Sequence, residues 1–150
     1  MKLVIQRVRS ARLSVEGKTV SETGHGLVVY LGVGRGDGER ECGIAARKIS
    51  SLRIFSDEAG KMNLSLKDIG GEALIVSQFT LYGDARKGNR PSFTEAELPE
   101  PAEKLYRRVC ELTEEAGVTV KRGVFGADML IDQSCDGPVT IVLDLPPASA

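Results

Sequence analysis

Polar side chains follow a purely apolar segment at one point in the chain. Residues 73–76 are Ala-Leu-Ile-Val, and the next four residues are Ser77, Gln78, Phe79 and Thr80. Polar groups at the end of a buried strand cost free energy unless they are hydrogen-bonded or used in function. We therefore predict an active site formed by these four residues, with hydroxyl groups, an amide and backbone N–H groups as its chemical resources.

The hydroxyl groups of this segment have no evident base. His25 lies in a turn signal between two glycines, and Asp84 follows Thr80 by four residues beyond a Tyr-Gly bend. A nucleophilic hydroxyl needs a neighbouring base, so ester cleavage here would rely on backbone N–H groups that stabilise an oxyanion and on a proton-transfer group of the substrate. The alternative is that Ser77 and Thr80 only hydrogen-bond a neighbouring strand while Phe79 belongs to the core.

A Gly-Pro pair forms a second candidate site. Gly137 and Pro138 interrupt two strand-like segments. One interpretation is a plain turn, since only about 5% of X-Pro bonds in folded proteins are cis. In the other, a cis bond turns two consecutive carbonyl groups in the same direction, and this rigid pair recognises an α-amino group and excludes one configuration at the adjacent carbon. The sequence leaves both open.

The composition predicts one compact domain without a general affinity for nucleic acid. The chain has 150 residues, 41% of them hydrophobic, enough to bury about 70% of the surface of the unfolded chain. Its 20 basic and 21 acidic side chains leave a net charge of −1, so any contact with RNA has to be local. Two basic clusters either make such contacts or form solvated surface: Arg7, Arg9 and Arg12, and Arg86, Lys87 and Arg90.

Cysteine and histidine usage argues against disulfides and a zinc centre. The three cysteines, at 42, 110 and 135, form no Cys-x-x-Cys pair, which is typical of a reduced cytosolic compartment. The single histidine has no neighbouring zinc ligand, and we predict neither a metal nor a cofactor.

The start of the chain turns polar too early for a signal peptide, and no apolar run has the length of a membrane span. We expect a cytoplasmic protein without a membrane partner.

Hydrophobic periodicity predicts an α+β fold with seven or eight strands and two main helices. Residues 27–33 form a continuous apolar run, typical of a strand covered on both faces. We predict one helix at 39–51, capped by Asp37, and another at 101–116, ended by Gly117. The other strand signals lie near 3–5, 13–15, 19–20, 54–55, 62–64, 73–81, 118–121, 127–131 and 139–145.

These elements predict a single domain over residues 1–145. The helices would pack on a curved antiparallel or mixed sheet, or on a barrel-like core. We expect residues 146–150 to form a frayed tail. The glycines at 32, 34, 36 and 38 match neither a P-loop nor a Gly-x-Gly-x-x-Gly register, so we interpret them as a loose turn.

Seven motifs occur along the chain in an order shared with one known family. They are Gln-Arg-Val at 6–8, Leu-Arg-Ile-Phe at 52–55, Gly-Lys-Met-Asn-Leu-Ser at 60–65, Ser-Gln-Phe-Thr-Leu-Tyr-Gly-Asp at 77–84, Arg-Pro-Ser-Phe at 90–93, Gly-Val-Phe-Gly-Ala-Asp-Met at 123–129 and Gly-Pro-Val-Thr at 137–140. With them the chain closely resembles the D-aminoacyl-tRNA deacylases of the bacterial and general eukaryotic type. The resemblance covers essentially the whole length.

The resemblance implies an enzyme that hydrolyses the ester between a D-amino acid, or mischarged glycine, and the 3′-terminal adenosine of tRNA, and that spares L-aminoacyl esters. It also implies a homodimer in which Gly137 and Pro138 of one subunit, joined by a cis bond, reach into the other subunit's pocket as the chiral selector. Arg7 would orient the Gly-Pro carbonyls. The pocket would be lined by Ser77, Gln78, Phe79, Thr80, Phe125 and Met129. A DNA partner is not expected.

The mechanism that the resemblance implies needs no histidine. The 2′-hydroxyl of the terminal ribose takes part, and backbone amides of residues 77–80 hold the oxyanion; an older proposal makes Thr80 a nucleophile. Cys135 stands where the family usually has asparagine, two residues before the Gly-Pro pair, and a thiol is a weaker hydrogen-bond donor than an amide. Nothing adjacent in the sequence would activate Cys135 as a nucleophile itself.

Two other classes of protein remain as alternatives. The basic residues at 86–90 suggest an RNA- or DNA-associated dimer without catalytic activity. A related family removes misplaced amino acids with a trans-proline motif, but its members replace the Ser-Gln-Phe-Thr segment, which is intact here.

Overall fold

The computed structural model describes residues 1–148, which form eight strands and three α-helices. A 3₁₀ turn covers Phe79–Tyr82. In chain order the elements are β1 Lys2–Val15, β2 Lys18–Thr23, β3 Gly26–Gly32, α1 Glu39–Ser51, β4 Phe55–Ser56, β5 Met62–Leu64, α2 Leu66–Ile69, β6 Glu72–Ser77, α3 Pro99–Glu115, β7 Thr119–Arg122 and β8 Leu130–Asp144.

Six of the strands form one mixed sheet that curves toward a barrel. The order is β2-β1-β3-β6-β7, and β8 pairs with β1 along nearly the whole of both strands. The pairs that involve β1 are antiparallel, whereas β3–β6 and β6–β7 are parallel. Because β1 pairs with β3 through its first half and with β2 through its second, the sheet bends around β1. The predicted α+β class with a barrel-like core is confirmed.

Apolar side chains cover the central strands on both faces. On one face, Ile49 of α1 and Val109 of α3 pack in a cluster with Leu27 of β3. On the other face, Val28 and Leu74 pack in a second cluster. The continuous apolar run at 27–33 therefore forms a strand that is buried on both sides, as predicted.

Two predicted strands differ from the observed ones next to the candidate sites. β6 ends at Ser77, and a 3₁₀ turn replaces the predicted extension of this strand to Leu81. The strands predicted at 127–131 and 139–145 are joined in one strand, β8. Its pairing with β1 shifts between Val8–Cys135 and Gln6–Thr140, so the residues between Cys135 and Thr140 form a bulge.

The prediction that Asp37 caps α1 is wrong. Gly38 is the N-cap, and its N–H donates to Oε2 of Glu41 at 2.8 Å. The carboxylate of Asp37 is fully buried and instead accepts hydrogen bonds from the ammonium group of Met1 and the N–H of Gly34, each at 2.7 Å. A buried carboxylate requires such partners. The hydrogen bonds with Met1 and Gly34 hold the side chain of Asp37 away from the N-terminus of α1.

Three smaller expectations concern the chain termini and turns. Gly117 follows α3 with a φ of +95°, as its predicted role of ending the helix requires. Of the predicted tail, residues 146–148 contain no helix or strand, and 149–150 lie outside the described residues. In residues 1–148, none of the helices combines the length and the apolar character needed to cross a lipid bilayer.

Candidate active site

A cleft of 340 Å³ lies where β6 ends. Ser77, Gln78 and Phe79 form one side of it. The segment before β8 contributes Phe125 and Met129. The cleft thus brings together five of the six residues predicted for the pocket, and Thr80, the sixth, does not line it. The remaining lining residues are Leu31, Val33, Val76, Ala102, Gly126, Ala127, Asp128 and Ile131.

Close backbone packing positions the turn that carries Phe79. The N–H of Gln78 donates to the carbonyl of Leu31 at 2.8 Å. A Cβ at Gly32 would stand 2.9 Å from the carbonyl oxygen of Gln78, and a Cβ at Gly34 would stand 2.3 Å from the hydroxyl of Tyr82. The loose-turn prediction is therefore wrong for these two glycines, because their missing side chains let the end of β3 and the residues just after it pack closely against the 3₁₀ turn.

Tyr106 of α3 connects the two sides of the cleft. Its hydroxyl donates to the carbonyl of Ile75 in β6 at 2.7 Å, and its ring lies 6.1 Å, centroid to centroid, from that of Phe125. Burial, followed by the effect of Cys110, raises the pKa of Tyr106, so the phenol remains a neutral donor. Through Tyr106, α3 thereby fixes the position of β6 just before Ser77 and the position of the Phe125 ring on the opposite side of the cleft.

The turn presents polar groups and an aromatic ring to solvent. The side-chain amide of Gln78 donates to Oγ1 of Thr80. Phe79 is 58% exposed and contacts Phe93 edge-on at 5.2 Å, so the alternative that places it in the core is wrong. The N–H groups of Phe79 and Thr80 begin a 3₁₀ turn and have no acceptor within it, nor is either used by the hydrogen bonds among residues 1–148.

Asp84 and His25, the two residues that the sequence analysis considered as bases, are not placed to activate Thr80. Both carboxylate oxygens of Asp84 accept hydrogen bonds from Arg86, at 2.8 and 2.7 Å. These bonds hold the pKa of Asp84 well below its usual range. His25 is exposed, does not line the cleft, and contacts Phe55 edge-on at 5.3 Å.

The Gly-Pro pair lies outside this cleft, in the bulge of β8. Gly137 and Pro138 are both exposed, and the bond between them is cis. Arg7, whose side chain is only 12% exposed, donates from Nε to the carbonyl of Asp136 at 3.2 Å and from Nη1 to the carbonyl of Ile54 at 2.7 Å. The observed contact of Arg7 is therefore with the residue that precedes the pair.

A hydrogen-bond network connects the two ends of the bulge. Nε2 of Gln133 donates to Oε1 of Gln6 at 2.7 Å and lies 3.1 Å from Sγ of Cys135, and Gln6 in turn reaches Oγ1 of Thr140 at 3.5 Å. Tyr30 donates to Gln133 at 2.8 Å. Cys135, two residues before Gly137, thus accepts its hydrogen bond from the side-chain amide of Gln133.

One cleft residue that sequence reasoning missed is Asp128, the charged side chain among the residues that line the cleft. It falls inside the motif at 123–129, but a lone exposed aspartate has no distinguishing pattern. Within residues 1–148, His, Cys, Asp and Glu side chains do not gather in groups of three or more that could hold a metal ion.

The fold and the cleft define a small α+β domain with a polar turn facing an apolar wall, and comparison with known proteins identifies its family. A family model described as D-Tyr-tRNA(Tyr) deacylase matches residues 4–144. The chain belongs to this family, and the family prediction is confirmed.

Curated relatives match over nearly the whole chain. The protein named D-aminoacyl-tRNA deacylase from Thermotoga petrophila is 56% identical over 144 residues, which cover 96% of this chain and 97% of that protein. The protein of the same name from Magnetococcus marinus is 56% identical over 148 residues, which cover 98% of each.

Two solved structures share the fold. One is the c-Myc DNA Unwinding Element Binding Protein, which is 41% identical, with a TM-score of 0.91 and coverage of 97% of this chain and 99% of that chain. The other is described as a "probable eukaryotic D-amino acid tRNA deacylase", with 21% identity, a TM-score of 0.83 and coverage of 96% and 98%. At that lower identity the second comparison supports the fold alone.

Proposed function

We propose that this protein hydrolyses the ester bond of D-aminoacyl-tRNA to a D-amino acid and tRNA, and that it leaves L-aminoacyl-tRNA intact. The observation that carries the proposal is the cleft at the end of β6, where Ser77, Gln78 and Phe79 line one side and Phe125 and Met129 the other. The adjoining 3₁₀ turn begins with the N–H groups of Phe79 and Thr80, which have no acceptor among residues 1–148. The curated relatives named for this activity support it. Because the substrate is a tRNA used in translation, we place the enzyme in the cytoplasm.

Main-chain groups and the substrate itself carry the chemistry. Water adds to the ester carbonyl carbon, the N–H groups of Phe79 and Thr80 stabilise the developing oxyanion, and the bond to the ribose 3′-oxygen then breaks. The 2′-hydroxyl of the same ribose takes the proton of the attacking water and passes a proton to the leaving 3′-oxygen. This route suits a cleft in which neither His25 nor Asp84 is placed as a base.

Chiral selection is assigned to the carbonyl groups of Gly137 and Pro138. Apolar contacts distinguish a single methylene by only about 1–3 kcal/mol, so the rejection of every L-amino acid demands a penalty at the α-carbon itself. Rigid main-chain carbonyl groups next to the α-carbon impose this penalty on every L-amino acid, whatever its side chain. The side chain of a D-amino acid substrate then points to solvent. Glycine has no side chain to exclude, so glycyl-tRNA is also a substrate.

The selector acts across a homodimer in this proposal. Gly137 and Pro138 are exposed and do not line the cleft of their own chain, so a second copy is needed to bring them to it. Strand β8 also exposes two large apolar side chains, Val142 at 72% and Leu130 at 66%.

Release of tyrosine from charged tRNA tests the proposed activity. The purified protein is mixed with D-tyrosyl-tRNA or L-tyrosyl-tRNA, and the release is compared with spontaneous hydrolysis. We expect rapid release of D-tyrosine and no acceleration for L-tyrosine. Equal acceleration of both, or of neither, would contradict the proposal.

A nucleic-acid-binding protein without catalytic activity is the second candidate. It is favoured by the exposed basic residues Arg86, Lys87 and Arg90 and by the name of the DNA-binding relative with 41% identity. The same assay separates the two, since a binder releases neither amino acid.

A further inference from the structure

A short basic hairpin projects from the candidate active site. Asp84 and Ser92 form an antiparallel bridge through two backbone hydrogen bonds, Asp84 N–H to Ser92 O at 2.8 Å and Ser92 N–H to Asp84 O at 2.9 Å. We call residues 84–92 the basic hairpin. All residues from Ala85 to Pro91 are exposed. We propose that the basic hairpin binds the phosphate backbone of the tRNA 3′ arm, an inference that rests on the proposed function.

The hairpin is attached rigidly to the turn that forms the site. The N–H of Gly83, just before the hairpin, donates to the carbonyl of Thr80 at 2.9 Å. Phe93, just after it, packs its ring edge-on against Phe79 at 5.2 Å. An ester group that reaches the turn therefore carries its adjoining nucleotides past a surface whose position is set from both ends.

The charges of the hairpin suit phosphate groups. It holds Arg86, Lys87 and Arg90 against one acidic residue, Asp84. Asp84 accepts two hydrogen bonds from Arg86 at 2.7 and 2.8 Å, which stiffens the base of the hairpin and neutralises that arginine. The ion pairs within residues 1–148 involve neither Lys87 nor Arg90, so two cations are left for a partner.

An RNA backbone fits this surface better than a protein does. The exposed residues of the hairpin include no large apolar side chain, whereas protein interfaces are built around buried apolar or aromatic anchors. Each nucleotide carries one negative phosphate, and lysine and arginine contacts to phosphates position a nucleic acid without reading its sequence. The hairpin would thus serve every tRNA alike.

Comparison of two substrates with a double variant tests the inference. The variant is Lys87→Ala with Arg90→Ala. The matched control is Arg47→Ala with Lys48→Ala, an exposed Arg-Lys pair on α1 that likewise takes no part in the ion pairs within residues 1–148. The substrates are D-tyrosyl-tRNA and the D-tyrosyl ester of adenosine, which is too short to reach the hairpin. We expect the hairpin variant to raise KM for the tRNA substrate about 10-fold with little change in kcat, and to cleave the adenosine ester like the wild type.

Salt dependence gives a readout that a structural defect would not produce. Between about 50 and 200 mM salt, the slope of log kcat/KM against log salt should become shallower by about 1.5 in the hairpin variant, as for two lost phosphate contacts, and stay unchanged in the control. An unchanged slope and KM, an equal change in the control, or an equal loss on both substrates would overturn the inference.

Binding of uncharged tRNA separates this inference from the proposed function. If the wild type cleaves neither substrate, the proposed function fails, and the hairpin is then judged by fluorescence anisotropy with uncharged tRNA. Weaker binding and a shallower salt slope in the hairpin variant support RNA contact, whereas binding equal to that of the wild type overturns it.

Discussion

Arg7 donates a hydrogen bond from Nε to the main-chain carbonyl of Asp136, the residue before Gly137, at 3.2 Å. The same guanidinium donates to the carbonyl of Ile54 at 2.7 Å. One side chain thus fastens the bulge of β8 to the segment before β4, and the planar fork of arginine serves both carbonyls at once.

Replacement of Arg7 tests this fastening. Arg7→Ala leaves the buried carbonyl of Ile54 without its donor, so the free energy of unfolding should fall by about 1–3 kcal/mol. The freed bulge should lower kcat/KM for D-tyrosyl-tRNA by about 10- to 100-fold. Arg7→Lys keeps the charge beside Asp136 but cannot hold both carbonyls, and we expect it to lose more activity than stability. Denaturant unfolding and initial rates measure both, and a variant that loses stability with unchanged kcat/KM would contradict a positioning role.

Thr80→Ala should retain most of the deacylation activity. The hydroxyl is exposed and is hydrogen-bonded by Gln78, and the nearby carboxylate of Asp84 is bound by Arg86. The backbone N–H groups remain in the variant. We expect kcat within about 10-fold of the wild type in single-turnover assays. A loss of about 10³-fold or more at unchanged substrate affinity is the pattern of a missing nucleophile and would restore that role to Thr80.

Thiol chemistry should distinguish Cys135 from the other two cysteines. Burial raises the pKa of Cys42 to about 12 and that of Cys110 to about 11, whereas Cys135 is exposed. A maleimide reagent at about pH 8 should therefore label one thiol in the folded protein and three after denaturation. Cys135→Ser should keep the deacylation rate of the wild type, and its complete inactivation would contradict the absence of a direct role.

The stability of the protein should depend on pH through Glu41. Burial acts to raise the pKa of this carboxyl, but the N–H of Gly38 and the guanidinium of Arg40 outweigh it, so the pKa is lowered in the folded protein. Its contribution is present above the unfolded value of about 4.3 and is lost as the pH falls through the folded value. Glu41→Gln should melt below the wild type at neutral pH, and the difference should shrink in acid. The control is Glu58→Gln, an exposed carboxylate, and a difference that does not vary with pH would contradict the assignment.

Local periodicity was sufficient for α1 and the central strands, and it placed α3 within two residues of its observed bounds, whereas the four-residue helix α2 was not predicted. Cys42, Ala45 and Ile49 recur on one face of α1 and are all buried, so the predicted bounds at 39–51 agree with the structure. The 3₁₀ turn was missed because residues 79–82 have side chains that favour strands. The turn packs closely against Gly32 and Gly34, and a local sequence pattern does not contain such long-range contacts.

The cleft depends on contacts between distant segments, and this limits what the sequence predicts. The apolar strand followed by polar residues indicates Ser77 and Gln78 on physical grounds. Phe125 and Met129 came from the family resemblance, because nothing in their local pattern places them opposite β6. The bulge that carries Gly137 likewise depends on the register between β8 and β1, which is a long-range property.

The central claim is that the main chain at Gly137 and Pro138 distinguishes the two mirror forms of the substrate, and Gly137→Ala tests it most directly. Gly137 has a φ of +122°, and a Cβ there would stand 2.9 Å from Cγ2 of Val139 and 3.2 Å from Nη2 of Arg7, so the bulge has to shift. Gly60→Ala is the control, since Gly60 has a φ of +78° and no atom of residues 1–148 lies within 4 Å of the added Cβ.

The measurement is the ratio of kcat/KM for D-tyrosyl-tRNA to that for L-tyrosyl-tRNA. We expect this ratio to fall by about 10-fold or more in Gly137→Ala and to stay at the wild-type value in Gly60→Ala. An unchanged ratio in a folded, active Gly137→Ala protein would contradict the account.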